Sequence, residues 1–485
     1  MSMMWPLASS ALTSSLPTRP IPGSYGLPLL GPLKDRLDYF WFQGTETFFR
    51  SRMNTHKSTV FRTNMPPTFP FFIGVDPRMV AVLDCASFST LFDLSVVEKK
   101  NVLVGDFMPS LSFTGDTRVV VYLDPTERDH ARVKGFCLDL LKRSAKTWVS
   151  SFLSNVDAMF DAIELEVAKD GSSNLLVPLQ KCIFAFLCKS IIGADPSSSP
   201  DVGDNGYVML DRWLALQLLP TVNAGIIPQP LEEILLHSFA YPFFLVSGDY
   251  RKLYELVEKQ GREVVERAEA EYGLSQHDAI NNILFVLGFN AFGGFSVFFP
   301  VLLTTLGRDK TGLRGKLKEE VRRVLKTRGE SKPSFESVRE MELVRSTVYE
   351  ALRLNPPVPL QYARARTDFM LQSHDAAFEV RKGELLCGYQ PLVMRDPVVF
   401  DDPETFVPER FMGGGKELLR YLFWSNGPQT GTPSVENKQC AAKDYVVETA
   451  CLLVAQIFNR YDEFVCADDN TTVTKLEKAT DSGKE

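Results

Sequence analysis

Hydrophobic residues recur at intervals of three and four along most of this chain, with charged residues between them. Such spacing is typical of amphipathic helices. The segments that show it are 77–92, 127–143, 146–167, 176–191, 249–271, 313–326, 341–354 and 445–461. Serine is a common cap of helix N-termini, so Ser334 predicts the start of a further helix. Helices therefore dominate the predicted fold.

Short β-rich runs occupy 58–63 and 70–73 near the N-terminus and 378–380 and 384–387 later in the chain. No repeat and no shift in composition marks a domain boundary. We therefore predict a mainly α fold with a minor β part, formed by one domain over residues 17–475. Residues 476–485 are predicted to be a flexible C-terminus. Residues 1–16 contain no acidic residue, and we expect either a flexible end or a weak targeting segment.

Two apolar stretches raise the question of a membrane. Residues 279–307 contain no charged residue and are long enough to cross a bilayer. The asparagines, the Gly293-Gly294 pair and Pro300 within them favour a helix buried in a protein core. Residues 216–246 are apolar and carry four prolines. They are interpreted either as buried loop and helix or as a surface that dips into a bilayer interface.

Charge and cysteine content exclude some classes of function. The chain has 53 Lys and Arg against 60 Asp and Glu, a net charge of −7, with no block of like charges. This argues against binding to nucleic acid. The eight cysteines are scattered and show no CxxC or Cys/His finger spacing, which favours a reducing compartment over a disulfide framework. Any cysteine with a chemical function is expected to act singly.

Two motifs in the C-terminal third carry chemistry. Glu350 and Arg353 lie three apart on one predicted helix face, where a carboxylate and a guanidinium can pair. The turn Pro-Glu-Arg-Phe at 408–411 follows, and a charged group from it is expected to close a buried network. Cys440 ends a glycine-containing loop just before a helix, whose N-terminus lowers thiol pKa and produces a thiolate that can attack or bind a metal. The other seven cysteines are expected to be inert.

In this order the motifs resemble the cytochrome P450 family. The resemblance implies a single-domain haem-thiolate fold in which Cys440 is the axial ligand of the iron of haem b. Two features of the cysteine loop depart from the common pattern. Trp424 stands where most members have Phe, and extra residues at 429–436 lengthen the loop.

The resemblance also suggests which basic residues meet the haem. Lys438 takes the place of the usual Arg two residues before the cysteine, and is a candidate partner for a haem propionate. Further candidates by analogy with the family are Lys134, His130, Arg364 and Arg366.

The central helix lacks the acid and threonine that deliver protons to dioxygen in oxygen-activating members, because no Asp or Glu occurs between Asp278 and Asp309. Hydroxylation that depends on O2 is therefore disfavoured, and an organic hydroperoxide would supply oxygen already reduced. Residues 289–295 (Phe-Asn-Ala-Phe-Gly-Gly-Phe) and the lengthened cysteine loop resemble the plant branch of hydroperoxide lyases, allene oxide synthases and divinyl ether synthases. Residues 288–299 and 356–361 are most similar to the 13-hydroperoxide lyases.

The resemblance implies a reaction and a set of site residues. The expected reaction cleaves 13-hydroperoxides of linolenic or linoleic acid, through a hemiacetal, to a six-carbon aldehyde and a twelve-carbon oxo-acid, without O2, NADPH or a reductase partner. Asn290 would hydrogen-bond the hydroperoxide, the alternative being an amide satisfied by its own helix. The expected pocket residues are Leu103, Phe289, Phe292, Gly293, Gly294 and Phe295. Leu103 stands where allene oxide synthases typically carry Phe.

Three alternatives stay open. The first is allene oxide or divinyl ether synthesis from the same hydroperoxide, which only the products would distinguish. The second is a monooxygenase, which would need NADPH and a reductase. The third is a non-enzymatic membrane or haem-carrier protein. The resemblance also implies a chloroplast protein in peripheral contact with the plastid envelope.

Overall fold

The computed structural model describes residues 16–68, 72, 74–225, 227–424, 426–468 and 471–479. Nearly all of the predicted N-terminal segment 1–16, most of the predicted strand 70–73 and the last six residues lie outside this range. Statements about the fold refer to the described residues.

Helices form most of the protein, as the spacing predicts. They are α1 (Leu30–Leu37), α2 (Thr45–His56), α3 (Cys85–Ser89), α4 (Arg128–Asp170), α5 (Leu176–Leu187), α6 (Gly206–Leu218), α7 (Gln229–Leu235), α8 (Ser247–Gln260), α9 (Arg262–Tyr272), α10 (Gln276–Leu284), α11 (Gly293–Gly307), α12 (Leu313–Arg328), α13 (Phe335–Glu340), α14 (Glu342–Leu354), α15 (Gln390–Val393) and α16 (Lys443–Arg460). Ser334 caps α13, as predicted, and accepts a hydrogen bond from the amide of Ser337 at 3.0 Å.

Among the described residues the strands form three small sheets. The strands are β1 (Thr18–Arg19), β2 (Val60–Asn64), β3 (Arg78–Val82), β4 (Val97–Glu98), β5 (Ser173–Asn174), β6 (Leu360–Ala365), β7 (Phe369–Gln372), β8 (Ala377–Val380), β9 (Leu385–Tyr389), β10 (Tyr461–Cys466) and β11 (Thr472–Lys478). Their orders are β2-β3-β9-β6-β4, β1-β8-β7 and β10-β11-β5. The pairs β3–β9 and β1–β8 are parallel, and the other pairs are antiparallel. The first sheet joins the N-terminal part of the chain to the part that follows α14.

The uncharged central segment lies inside the protein. Gln276–Gly307 is continuous helix, in which a π-helical turn (Phe285–Phe292) joins α10 to α11. By length and composition it could cross a membrane, yet it packs against α5, α14, α16 and β10. At its end Gly307 leaves room for Cys466, whose sulfur would lie 2.4 Å from a Cβ at that position. The prediction of a core helix is confirmed.

The predicted helix 249–271 is two helices, α8 and α9, and three other predicted boundaries also differ from the structure. The segment 77–92 is strand β3 followed by α3 rather than one helix, because β3 is buried on both faces and Asp84 caps a new helix by accepting from Ser87 at 2.8 Å. The predicted helices 127–143 and 146–167 are one helix, α4. Strand β11 continues to Lys478, past the predicted domain end at 475, because it pairs with β10.

Candidate active site

A buried charge network fixes the C-terminal third of the protein. Arg353 donates to both carboxylate oxygens of Glu350, at 2.7 and 2.8 Å, and both side chains have no exposed surface. Arg410 donates to the same carboxylate at 3.1 Å, and the amide of Val407 at 2.9 Å. Arg353 also donates to the carbonyls of residues 394, 403 and 405. The predicted third charged group is therefore Arg410, and it closes the network around one carboxylate.

Cys440 differs from every other cysteine in the chain. The other seven are buried, whereas Cys440 is partly accessible. Burial raises the pKa of each of those seven thiols, which holds them protonated. The carbonyl of Cys440 accepts from the amide of Lys443, the first residue of α16. The predicted position beside a helix N-terminus is confirmed, and within this chain Cys440 is the thiol placed to bind a metal.

One stripe of the central helix is accessible although the helix crosses the core. Its members recur every three or four residues and are at least partly exposed: Val286, Asn290, Gly294, Val297, Val301 and Thr305. Asn290 and Val297 are the most exposed of them, Val297 at 53%. A Cβ built on Gly294 would meet no atom within 4 Å. No described side chain covers this stripe completely.

Asn290 is the polar amide of that stripe. Its side chain makes no hydrogen bond to any described residue. Asn281 and Asn282, about two turns of helix earlier, each donate to a backbone carbonyl of their own helix at 2.9 Å. The alternative of a satisfied helix asparagine therefore describes these two residues, and the geometry leaves the amide of Asn290 available to a ligand.

Three of the predicted pocket residues, Phe292, Gly293 and Phe295, lie away from the accessible stripe. Phe292 and Phe295 are buried, at 0% and 3% exposure, and Phe295 packs against Phe186 of α5 and Phe299. Phe292 lies two residues beyond Asn290, which is close to half a turn of helix, so the two side chains lie on opposite sides. Gly293 faces α6, where a Cβ would meet Leu214 at 2.8 Å.

The other predicted pocket residues stay compatible with a lining role. Phe289 is half-buried beside Asn290 and stacks on Phe285, with ring centroids 4.7 Å apart. Leu103 is half-buried in the loop before Phe107 and packs against the hydrophobic core.

Four basic side chains gather near Cys440: the buried Lys99, His130 and Lys134, and the half-buried Lys438. Burial lowers the pKa of Lys99 and of Lys438 to about 7, the latter with help from the charges of Lys134 and Lys99. Burial and the charges of Lys438 and Lys134 lower the pKa of His130 to about 4. The ring atom Nε2 of His130 is buried without a partner. The carboxylate of Asp124 lies close enough to raise the pKa of Lys99, His130 and Lys438, and the positive charge that it leaves unmatched suits a further anion.

Not every predicted basic residue is placed to meet that anion. Lys438 donates to the carbonyls of Val120, Val121 and Leu123 at 2.8, 3.0 and 2.8 Å, which uses all three of its donors. Lys438 therefore links the cysteine loop to the segment 120–123. Arg364 pairs with Asp106, and Arg366 donates to Asp124 at 3.0 Å. Lys438 thus bonds backbone carbonyls, and Arg364 and Arg366 bond carboxylates, so a contact of these three side chains with a propionate stays a prediction.

This chain resembles known proteins over nearly its whole length. A family model described as cytochrome P450 matches residues 302–429. The chain is 59% identical over 472 residues to the chloroplastic fatty acid hydroperoxide lyase of Solanum lycopersicum, covering 97% of this chain and 98% of that protein. It is 57% identical over 450 residues to the chloroplastic linolenate hydroperoxide lyase of Arabidopsis thaliana, covering 93% and 91%. The chain belongs to the hydroperoxide lyase branch of the cytochrome P450 family.

A second group of relatives shares the fold of this P450 at lower identity. The chloroplastic allene oxide synthase of Linum usitatissimum is 44% identical over 451 residues, covering 93% of this chain and 83% of that protein. The difference of 15 percentage points from the tomato lyase, 59 against 44, favours the lyases as the nearer group.

The residues of this P450 fit haem. Cys440 is the accessible cysteine that would donate a thiolate to the iron, and the accessible stripe of the central helix offers mostly small or apolar side chains. The unpartnered Nε2 of His130 and the buried ammonium groups of Lys134 and Lys99 suit the two propionates that haem carries. The Glu350 network ties α14 to the segment 394–410.

Two residues of the site, Lys99 and Val297, were not predicted from the sequence. Lys99 lies in an unremarkable stretch, and only the fold brings it to within interaction distance of Lys438. Val297 could have been found, because it lies seven residues after Asn290, which is two helical turns.

Proposed function

We propose that this P450 is a haem-dependent fatty acid hydroperoxide lyase. Its substrates are 13-hydroperoxides of linolenic and linoleic acid, and its products, formed through a hemiacetal, are a six-carbon aldehyde and a twelve-carbon oxo-acid. The names and high identity of the two lyase relatives support this activity. The structural observation that carries it is the unpartnered amide of Asn290 on an accessible stripe that holds no acid.

The chain's own residues have distinct parts in this reaction. Cys440 would ligate the iron, and bound haem would supply a ferric centre able to split the weak O–O bond homolytically. Asn290 would donate a hydrogen bond to the hydroperoxide and hold it in a reactive geometry. No carboxylic acid lies between Asp278 and Asp309 to feed protons to dioxygen, so no external oxidant or reductase takes part. The overall change is an isomerisation followed by cleavage of the hemiacetal, and it consumes no electrons.

Leu103 supports the choice of the lyase outcome over the allene oxide outcome. An aromatic face at this position could stabilise a carbon radical until it is oxidised to a cation. A leucine offers no π system, so cleavage of the carbon chain is favoured.

Product analysis tests the activity. We expect purified haem-loaded protein to convert the 13-hydroperoxide of linolenic acid to a six-carbon aldehyde, detected by mass spectrometry, without NADPH and under nitrogen. A ketol as main product would instead indicate allene oxide synthesis. A requirement for NADPH and a reductase would contradict the proposal.

A pair of variants tests Asn290. Asn290→Leu should lower kcat/KM roughly tenfold to hundredfold while the Soret spectrum stays unchanged, because a positioning hydrogen bond is lost. Asn155→Leu is the matched control, since Asn155 on α4 donates to the carbonyl of Ser151 of its own helix. Equal activity of the two variants would show that Asn290 has no part in the reaction.

We further propose that an apolar patch contacts a membrane surface. Two segments supply it: Leu27, Leu29, Leu30, Trp41 and Phe42 from the first, and Leu231, Ile234, Leu235, Phe239, Phe244 and Leu245 from the second. A buried ion pair between Arg36 and Glu233 and stacking of Phe40 on His237 at 3.7 Å join the segments. Contiguous exposed apolar surface of this kind is typical of a lipid-binding face, and both lyase relatives are described as chloroplastic. We therefore propose peripheral attachment within the chloroplast.

Vesicle co-sedimentation tests the patch. The double variant Phe42→Asp/Phe244→Asp should lose most of its binding to vesicles of chloroplast lipids. Leu165→Asp is the control, because Leu165 on α4 is equally exposed, at 73% against 72% for Phe244, and belongs to neither segment. Unchanged binding of the double variant would contradict the proposal.

A further inference from the structure

The residue that precedes Cys440 is held at three points. The backbone amide of Gln439 donates to Oδ1 of Asn437 at 3.1 Å, and its carbonyl accepts from the ammonium group of Lys134. Its side-chain amide donates to the carbonyl of Pro428 at 2.6 Å. The side chain crosses the inside of the lengthened loop, from its end back to its beginning, and Gln439 is 3% exposed.

Two glycines make the space for this side chain. A Cβ on Gly427 would lie 2.8 Å from Nε2 of Gln439, and a Cβ on Gly431 would lie 2.6 Å from its Oε1. Neither glycine has a positive φ, so the requirement is for space and not for an unusual backbone. The side chain of Gln439 therefore fills the interior of the loop, and the two residues that flank it there are glycines, which have no Cβ atom.

The other end of the loop is tied to α16. The indole of Trp424 donates to Oε1 of Gln429 at 2.7 Å, and Lys443 donates to the carbonyl of Gln429 at 2.8 Å. Two hydrogen bonds thus cross the loop, from Gln439 to Pro428 and from Lys443 to Gln429. The first is made by the residue that is bonded directly to Cys440. A longer loop has more conformations to lose, so internal ties matter more in it.

We propose that Gln439 is a positioning residue for the iron ligand. Its amide fixes the backbone immediately before Cys440 and so fixes where the sulfur lies relative to the iron. A sulfur that can move away from the metal takes up a proton and becomes a neutral thiol, because only the bound thiolate is stabilised by the metal charge. The proposal rests on Cys440 being the haem ligand.

The variant Gln439→Leu tests this role, because leucine has a similar volume and no amide. The readout is the Soret band of the ferrous–CO complex, which distinguishes thiolate from thiol ligation. We expect the ratio of thiol to thiolate form to rise roughly fivefold, the equivalent of one ordinary hydrogen bond. Gln456→Leu is the matched control: Gln456 lies on α16, is 4% exposed and donates to Asp157 at 2.6 Å.

A purely structural role would lower stability in both variants and leave both spectra unchanged, and that result would overturn the proposal. Should Gln439→Leu fail to accumulate, Gly431→Ala gives a milder perturbation, because its methyl group pushes on the end of the same side chain. We expect Gly431→Ala to shift the spectrum in the same direction, and an unshifted spectrum would overturn the proposal. Lack of any thiolate band in the unchanged protein would instead refute Cys440 as the ligand.

Discussion

The buried carboxylate of Glu350 gives the sharpest test of how the scaffold is held. It accepts hydrogen bonds from two guanidinium groups and from the amide of Val407, and it has no exposed surface. In Glu350→Gln an NH2 group would replace one of the accepting oxygens and face the N–H donors of Arg353 or Arg410. Two buried cations would then lack a counter-charge.

Removing one partner of a buried ion pair typically costs about 3 to 5 kcal/mol. A loss of this size is a large part of a total stability of about 5 to 15 kcal/mol. We therefore expect the urea midpoint of the haem-loaded protein, followed by tryptophan fluorescence and by the Soret band, to fall steeply in Glu350→Gln. Glu409→Gln is the control, because Glu409 pairs with Lys316 at 2.9 Å where both side chains are about half exposed. Exposed pairs contribute about 0 to 1 kcal/mol. If both variants lost less than about 1 kcal/mol, the network would not be what holds this region together.

Three further predictions follow from single sites. The pKa of Glu233 is lowered: burial would raise it, but the hydrogen bond from His237 and the charge of Arg36 outweigh burial. The ionised carboxylate therefore stabilises the fold above its ordinary pKa, and this stabilisation is lost as pH falls through the lower folded pKa. In urea titrations Glu233→Gln should be less stable than the unchanged protein at pH 7 and should differ little from it near pH 3. Gly294→Ala should keep or raise the melting temperature, since alanine favours helix by about 1 kcal/mol and its methyl group meets no atom within 4 Å. Turnover should fall several-fold in this variant, and unchanged turnover would place this stripe away from the substrate. Leu103→Phe should raise the share of ketol among the products in mass spectrometry, and an unchanged product ratio would remove Leu103 from the choice of outcome.

The sequence determined the parts of this protein that depend on short-range spacing. Glu350 and Arg353 are three apart on a helix, and Cys440 precedes one, so their local geometry follows from the backbone alone. The absence of acids from the central helix and the apolar character of 279–307 are properties of composition. The helical spacing was enough to predict the mainly α fold class, and the resemblance that these motifs carry implied Cys440 as the expected iron ligand.

Only the tertiary structure decided which side chains meet from distant parts of the chain. Arg410 lies 60 residues from Glu350, and Lys99 joins a cluster formed with α4 and the cysteine loop. Helical spacing defines the faces of the central helix but not which face is covered, and packing against α5 and α6 buried Phe295 and Gly293 while leaving Asn290 accessible. The ammonium group of Lys438 donates its three hydrogen bonds to carbonyls that are more than 300 residues away in the sequence. Burial and partner choice are non-local, since they depend on how every neighbouring element fills space.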